Sequence, residues 1–174
     1  MDNTLKMKKL TTILVLTIFA AAGMLSSCHM KAKKALAYHD KVLFSTQTVV
    51  DSFLDYGDAI RTYNKQTAME GHTAYVQLVE KTRKAIEPME DFDGNKSLRN
   101  SCMNMLSFYK VNLAERMEPF LNTVKGPEFT DAEVVTADSL LDVITNTEMP
   151  YWEELDKAEK QFYRQFNLQV LQAE

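Results

Sequence analysis

Apolar residues recur at three- and four-residue spacing along nearly the whole chain, and no stretch alternates apolar with polar as a half-buried strand does. That period predicts amphipathic helices throughout. From about Lys31 to Lys65, Leu36, Leu43, Val50 and Gly57 make one row. His39, Thr46, Phe53 and Ile60 make a second beside it, spaced as a seam of heptads. Gln66-Thr67 reads as the turn that follows. A second helix, about Met69 to Glu90, carries Tyr75, Leu78, Val79, Thr82, Ala85, Ile86 and Met89, and Pro88 ends or bends its last turn. The run Asp91-Phe92-Asp93-Gly94-Asn95 has the composition of a turn, with Asn95 placed to cap the next helix.

The third helix spans about Lys96 to Val124, with Leu98, Cys102, Met105, Tyr109, Leu113, Phe120 and Val124 on one stripe and a kink expected at Pro119. Lys125-Gly126-Pro127 stops it. Thr130-Asp131-Ala132-Glu133 is a capping box that opens the fourth, whose stripe is Val134, Ala137, Leu141, Ile144, Leu155, Phe162, Phe166 and Val170. Pro150 interrupts that stripe. Thr147 as cap with Glu153-Glu154 behind the proline could start a fifth helix, but the stripe resumes in a compatible phase, which favours one kinked helix. Short connections make successive helices antiparallel neighbours. The predicted fold is an all-α, up-down-up-down four-helix bundle with long, kink-prone first and last helices. Because the second helix is the shortest, the first and last are expected to project beyond it as a two-helix stalk.

The N-terminus departs from this pattern. Lys6, Lys8 and Lys9 precede the apolar run Leu10 to Met24, and Leu25-Ser26-Ser27-Cys28 closes it. A basic region, an apolar region and small residues before a cut site make a secretory signal. With the cysteine directly after the small pair, Leu25, Ser26, Ser27 and Cys28 resemble the lipobox of bacterial lipoproteins, which implies cleavage before Cys28 and acylation of its thiol. The competing reading is a retained membrane anchor. Residues 10–27 are uncharged but sit at the short edge of what spans roughly 30 Å of hydrocarbon, and they are diluted by threonine, serine and Gly23. Lys31, Lys33 and Lys34 just beyond also blunt the lysine asymmetry that would orient a retained helix. The expected organisation is therefore a signal peptide, 1–27, and one helical domain, 28–174.

Removing the signal leaves 147 of the 174 residues, enough for one core. Three lysines and one aspartate leave with it, so the net charge moves from −4 to −6, which argues against a nucleic-acid partner. With Cys28 taken by lipid, Cys102 has no intrachain partner, and its place on an apolar stripe predicts a small buried hydrophobe.

Candidate chemistry is sparse. Neither His39 nor His72 has a glutamate three residues before it, as a di-iron bundle requires, and no C-x-x-C-H is present for covalent haem. Asp91 to Asn95 has its glycine in the wrong place for a calcium loop. The methionines beyond the signal read as core filling rather than copper ligands. No cofactor or metal ligand is assigned, and no nucleophile stands with a base. What stands out is polar residues on apolar stripes. Gln47 near the middle of the first helix and Glu148 on the fourth fall at nearly the same depth, so they are candidates for a central polar layer that fixes helix register.

Tyr38-His39-Asp40-Lys41-Val42, Gln47, Phe92-Asp93-Gly94, Phe108-Tyr109-Lys110 and the segment Phe162 to Leu168 together resemble a family of small all-helical bacterial surface lipoproteins of unassigned function. That family is known in spirochaetes and common among the Bacteroidetes. The resemblance implies a lipid-anchored bundle exposed to the cell envelope and supplies no catalytic residue. The expected function is a non-enzymatic envelope module. It would be held by membrane lipid through Cys28 and bind a protein or glycan through a bundle face or a distal tip, formed by the Gln66–Met69 and Gly126–Thr130 turns. The alternative is a small-ligand or metal carrier with a core site near Gln47, Glu148 and Trp152.

Overall fold

The computed structural model describes the backbone of residues 3–168 and the side chains of residues 30–168. The described chain is all-helical: it contains no strand, only two isolated bridges, Asn64 with Glu128 and Phe92 with Asn95. Four helical stretches follow one another. The first is α1 (Asn3–Ile60) and the second α2 (Lys65–Ile86). The third is α3 (Ser97–Asn112), a π-helical turn (Leu113–Met117) and α4 (Glu118–Thr123). The fourth is α5 (Asp131–Thr147) and α6 (Met149–Phe166).

α1 ends five residues before the sequence pattern predicts. Tyr63 takes a left-handed φ of 53°, a conformation that costs a residue with a side chain roughly 1–2 kcal/mol. Two backbone bonds to a distant loop offset it: Phe129 N–H donates to the Tyr63 carbonyl (2.7 Å) and Lys65 N–H to that of Pro127 (2.8 Å). Asn64 then caps α2, its side-chain oxygen accepting from Thr67 N–H at 3.1 Å, so the expected turn at Gln66-Thr67 is instead the first turn of a helix. α2 stops at Ile86, two residues before Pro88.

The core confirms one of the two rows read on α1 and corrects the other. His39, Thr46, Phe53 and Ile60 are buried as expected. Their companions are Ala35, Val42, Val49 and Tyr56, one residue before the predicted row, and Leu36 is 42% exposed. The two possible rows lie about 100° apart on the helix. At the first two positions the smaller Ala35 and Val42 face inward in place of Leu36 and Leu43, which lets neighbouring helices approach α1 closely, and Leu36, Leu43 and Val50 are left on the flank. Lys31 already meets Asp93 of the α2–α3 turn at 2.5 Å and lies over the Phe166 ring, so from that residue onward no two-helix stalk projects.

The third stretch buries its whole predicted stripe, Leu98 through Val124. Pro119 acts just upstream of itself. Its missing N–H and its ring remove one ladder bond, and Glu118 N–H reaches back to the Leu113 carbonyl, five residues away, forming the π turn. Asn95 receives Leu98 N–H (3.4 Å) on its oxygen and donates its amide to Gln165 of α6 (2.6 Å), tying the start of α3 to the last helix.

The Thr130–Glu133 capping box forms in both directions. The favoured single kinked helix after it does not. α5 and α6 are separated by one residue, Glu148, with Pro150 in the first turn of α6, where a missing N–H costs nothing. Thr147 is not the cap, because its hydroxyl donates back to the Val143 carbonyl (2.7 Å). α1 packs along α2 and α3, α3 packs along α6, and α5 leans on the π turn and on α6.

Candidate functional site

Glu148 keeps helical dihedrals (φ −79°, ψ −20°), yet the helix breaks on it, and its carbonyl accepts from Tyr151 N–H and Trp152 N–H. The break swings its side chain towards α3, where the Tyr109 hydroxyl donates to its carboxylate at 2.7 Å. Tyr109 is 1% exposed. Its ring packs against Phe53, Tyr75 and Phe108, with centroids 5.3–6.0 Å apart. Burial first, and the Glu148 carboxylate second, push its pKa well above the usual tyrosine value. The hydroxyl therefore stays protonated and acts as a fixed donor that holds Glu148 in one orientation.

The other end of α5 is tied to α1 by charge. Arg61 Nε lies 3.4 Å from Asp138, which also accepts from the Tyr63 hydroxyl at 3.1 Å. Between these ties α5 stands away from α1, leaving a cleft of about 270 Å³. Phe53, Gly57 and Tyr109 line its inner part, Val50, Leu54, Leu141 and Thr145 its walls, and Asp51, Asp58, Arg61 and Glu148 its polar positions. Gly57 matters here for room. A Cβ built on it would meet nothing nearer than Arg61 Nη1 at 3.4 Å, so the guanidinium folds back over the glycine one turn behind it. Leu54, 75% exposed, forms the outer lip.

The sequence-predicted residues fall as follows. Glu148 lines this cleft. Gln47 turns along its own helix and donates to Asp51 at 2.7 Å, and it borders an open groove with Leu43 and Phe44 instead. No hydrogen bond joins Gln47 to Glu148 among the described residues; the partner of Glu148 is Tyr109. Leu25, Ser26, Ser27 and Cys28 lie outside the described side chains. Of the two expected tip segments, Gly126–Thr130 meets residues 63–65 through the Asn64–Glu128 bridge and the backbone bonds around it, while Gln66–Met69 belongs to the first turns of α2. Cys102 is a buried free thiol whose pKa burial raises to about 11, with Thr46 opposing, so it is not a reactive thiolate.

Two histidines are buried with opposite electrostatics. His39 places Nδ1 3.0 Å from Asp40 and Nε2 2.9 Å from Glu159 of α6. Burial pulls its pKa down, but the bonds to Glu159 and Asp40 outweigh it and the net shift is upward. With a carboxylate at each nitrogen, both donate, as only the imidazolium can. His72 has Nδ1 3.3 Å from the Tyr56 hydroxyl, and burial lowers its pKa against a weaker opposing pull from Glu118. Its lowered pKa favours the neutral ring in the core. Among the described residues no three histidine, cysteine or acidic side chains converge to hold a metal ion, and no helix is long and apolar enough to cross a membrane.

Asp51, Asp58 and Arg61 are the site residues that sequence reading overlooked, and Gly57 was read only as part of an apolar row on the first helix. The available signal was Gly57 four residues before Arg61 on one helix face, which gives a long cationic side chain room to lie down. The chain matches no protein-family model, no curated protein and no solved structure.

Proposed function

We propose that this chain is a non-enzymatic binding module of the bacterial cell envelope, held to the membrane by lipid on Cys28 and engaging its partner through the face between α1 and α5. The tether rests on the order of basic, apolar and small residues before Cys28 and on the likeness to lipoproteins of unassigned function. The binding role rests on one observation: a half-enclosed cleft with an apolar lining and a few fixed polar groups, the make-up of ligand sites in general. The four helical stretches read best as an up-down-up-down bundle, a reading supported by the short connections at 61–64, 87–96 and 124–130.

A small-ligand carrier is the second reading, and the position of Glu148 on the cleft favours it. The two readings share the site and differ in whether its occupant is a free molecule or part of a larger partner. Two variants test the proposal. Cys28→Ser should abolish incorporation of a labelled fatty acid and release the protein from the membrane fraction; unchanged labelling contradicts the tether. Gly57→Leu should fill the cleft without disturbing α1 and abolish binding; unchanged binding contradicts the cleft.

A further inference from the structure

We propose that the α1–α5 cleft takes an organic cation, a single ammonium or guanidinium group on a short apolar stem; this deepens the binding role proposed above and rests on it. The cleft, at about 270 Å³, lies just below the roughly 300–1,000 Å³ of sites for drug-sized ligands, which suits a group the size of a lysine or arginine side chain. Its polar positions are unbalanced in charge. Asp51, Asp58 and Glu148 face it, and among the described residues no lysine, arginine or histidine pairs with any of them. Arg61, the one cation of the lining, is engaged by Asp138 of α5. An anion entering here meets uncompensated carboxylates, whereas a cation is drawn to them.

Two further observations narrow the class. The acidic groups do not converge as a metal site does, so they suit an organic cation that pairs with one of them while its stem lies along the apolar wall. The protein also lays a guanidinium of its own in the cleft: Arg61 Nη1 lies over Gly57, 3.4 Å from where a Cβ would be. That end therefore already accepts the chemistry proposed for the other. Towards Glu148 the floor is buried aromatic core, while the more exposed Val50 and Leu54 are placed to cover methylene groups as they do for a lysine stem. Tyr109 occupies one carboxylate oxygen of Glu148 and leaves the other to receive the ligand's N–H.

The test is calorimetric titration of the full-length protein in detergent at low ionic strength. n-Butylguanidinium probes a free cation, a blocked Ala-Arg-Ala peptide probes the same group carried by a chain, and butyrate and butanol serve as anionic and neutral comparators. One or both cations should bind in a one-to-one ratio, with the tighter identifying the source. The paired substitution Glu148→Gln and Asp58→Asn should weaken that binding about ten-fold or more, while Asp93→Asn, remote from the cleft, should leave it unchanged. Failure of both cations to bind, or equal weakening in Asp93→Asn, overturns the proposal. If butyrate or butanol binds instead and Gly57→Leu abolishes it, the cation fails while the cleft stands. If none of the four binds, both fall.

Discussion

The two flanks of α1 use glycine to opposite ends. On the α2 side, a Cβ added to Gly71 would lie 2.6 Å from the Cβ of Ala59, so the two helices touch there only because that atom is missing. One turn away from this contact Tyr56 and Tyr75 stack with ring centroids 5.0 Å apart, and the Tyr75 hydroxyl donates to the Val49 carbonyl at 3.1 Å. On the α5 side, Gly57 has only the tip of Arg61 for a neighbour and borders a cleft. One flank is closed and is where stability resides. The other is open and is where a ligand has room.

Changes that break the closed flank should cost most. Tyr75→Ala removes a ring packed between Phe53, Tyr56 and Tyr109, and should destabilise by about 3–5 kcal/mol in urea unfolding. Gly71→Ala forces the helices apart and should cost about 2 kcal/mol by the same measurement.

The histidines sharpen the contrast through pH. The folded-state pKa of His39 lies above the unfolded value near 6.5, so its ion pairs stabilise fully below about pH 6.5 and lose that effect as pH rises through the folded pKa. His39→Gln should therefore cost about 1.5 kcal/mol near pH 6 and progressively less in more alkaline buffer. His72 runs the other way. Its folded pKa is depressed, so the neutral ring's contribution is complete above about pH 6.5 and is lost as pH falls through the folded value. Unfolding free energies of His39→Gln and His72→Gln, measured from pH 6 to pH 8, should show opposite trends relative to wild type. The smallest effect belongs to the open flank. Gly57→Ala meets no steric obstacle and should raise stability by about 0.5–1 kcal/mol, seen as a higher melting temperature.

Where a local rule governs, the sequence was legible. The Thr130–Glu133 capping box, the stop at Lys125-Gly126-Pro127 and the buried stripe from Leu98 to Val124 each depend on residues within a turn or two of one another. The register of α1 was not, because it carries two apolar rows side by side. Local pattern favours the leucines, whereas close packing of α2 and α3 selects Ala35, Val42 and Val49. The cleft lay between these cases. Glu148 stood out as a polar residue on an apolar stripe. Its partner is Tyr109 rather than Gln47, since counting along helices gives depth and not the direction each side chain faces around the axis.

The most direct measurement is amide chemical-shift mapping of the full-length protein in micelles as n-butylguanidinium is added. Shifts confined to residues 50–61, at the end of α1, and 141–148, at the end of α5 and the break after it, saturating together, are the predicted result. Shifts scattered over the acidic surface, or centred on the closed flank around Gly71 and Tyr75, would contradict a ligand site between α1 and α5.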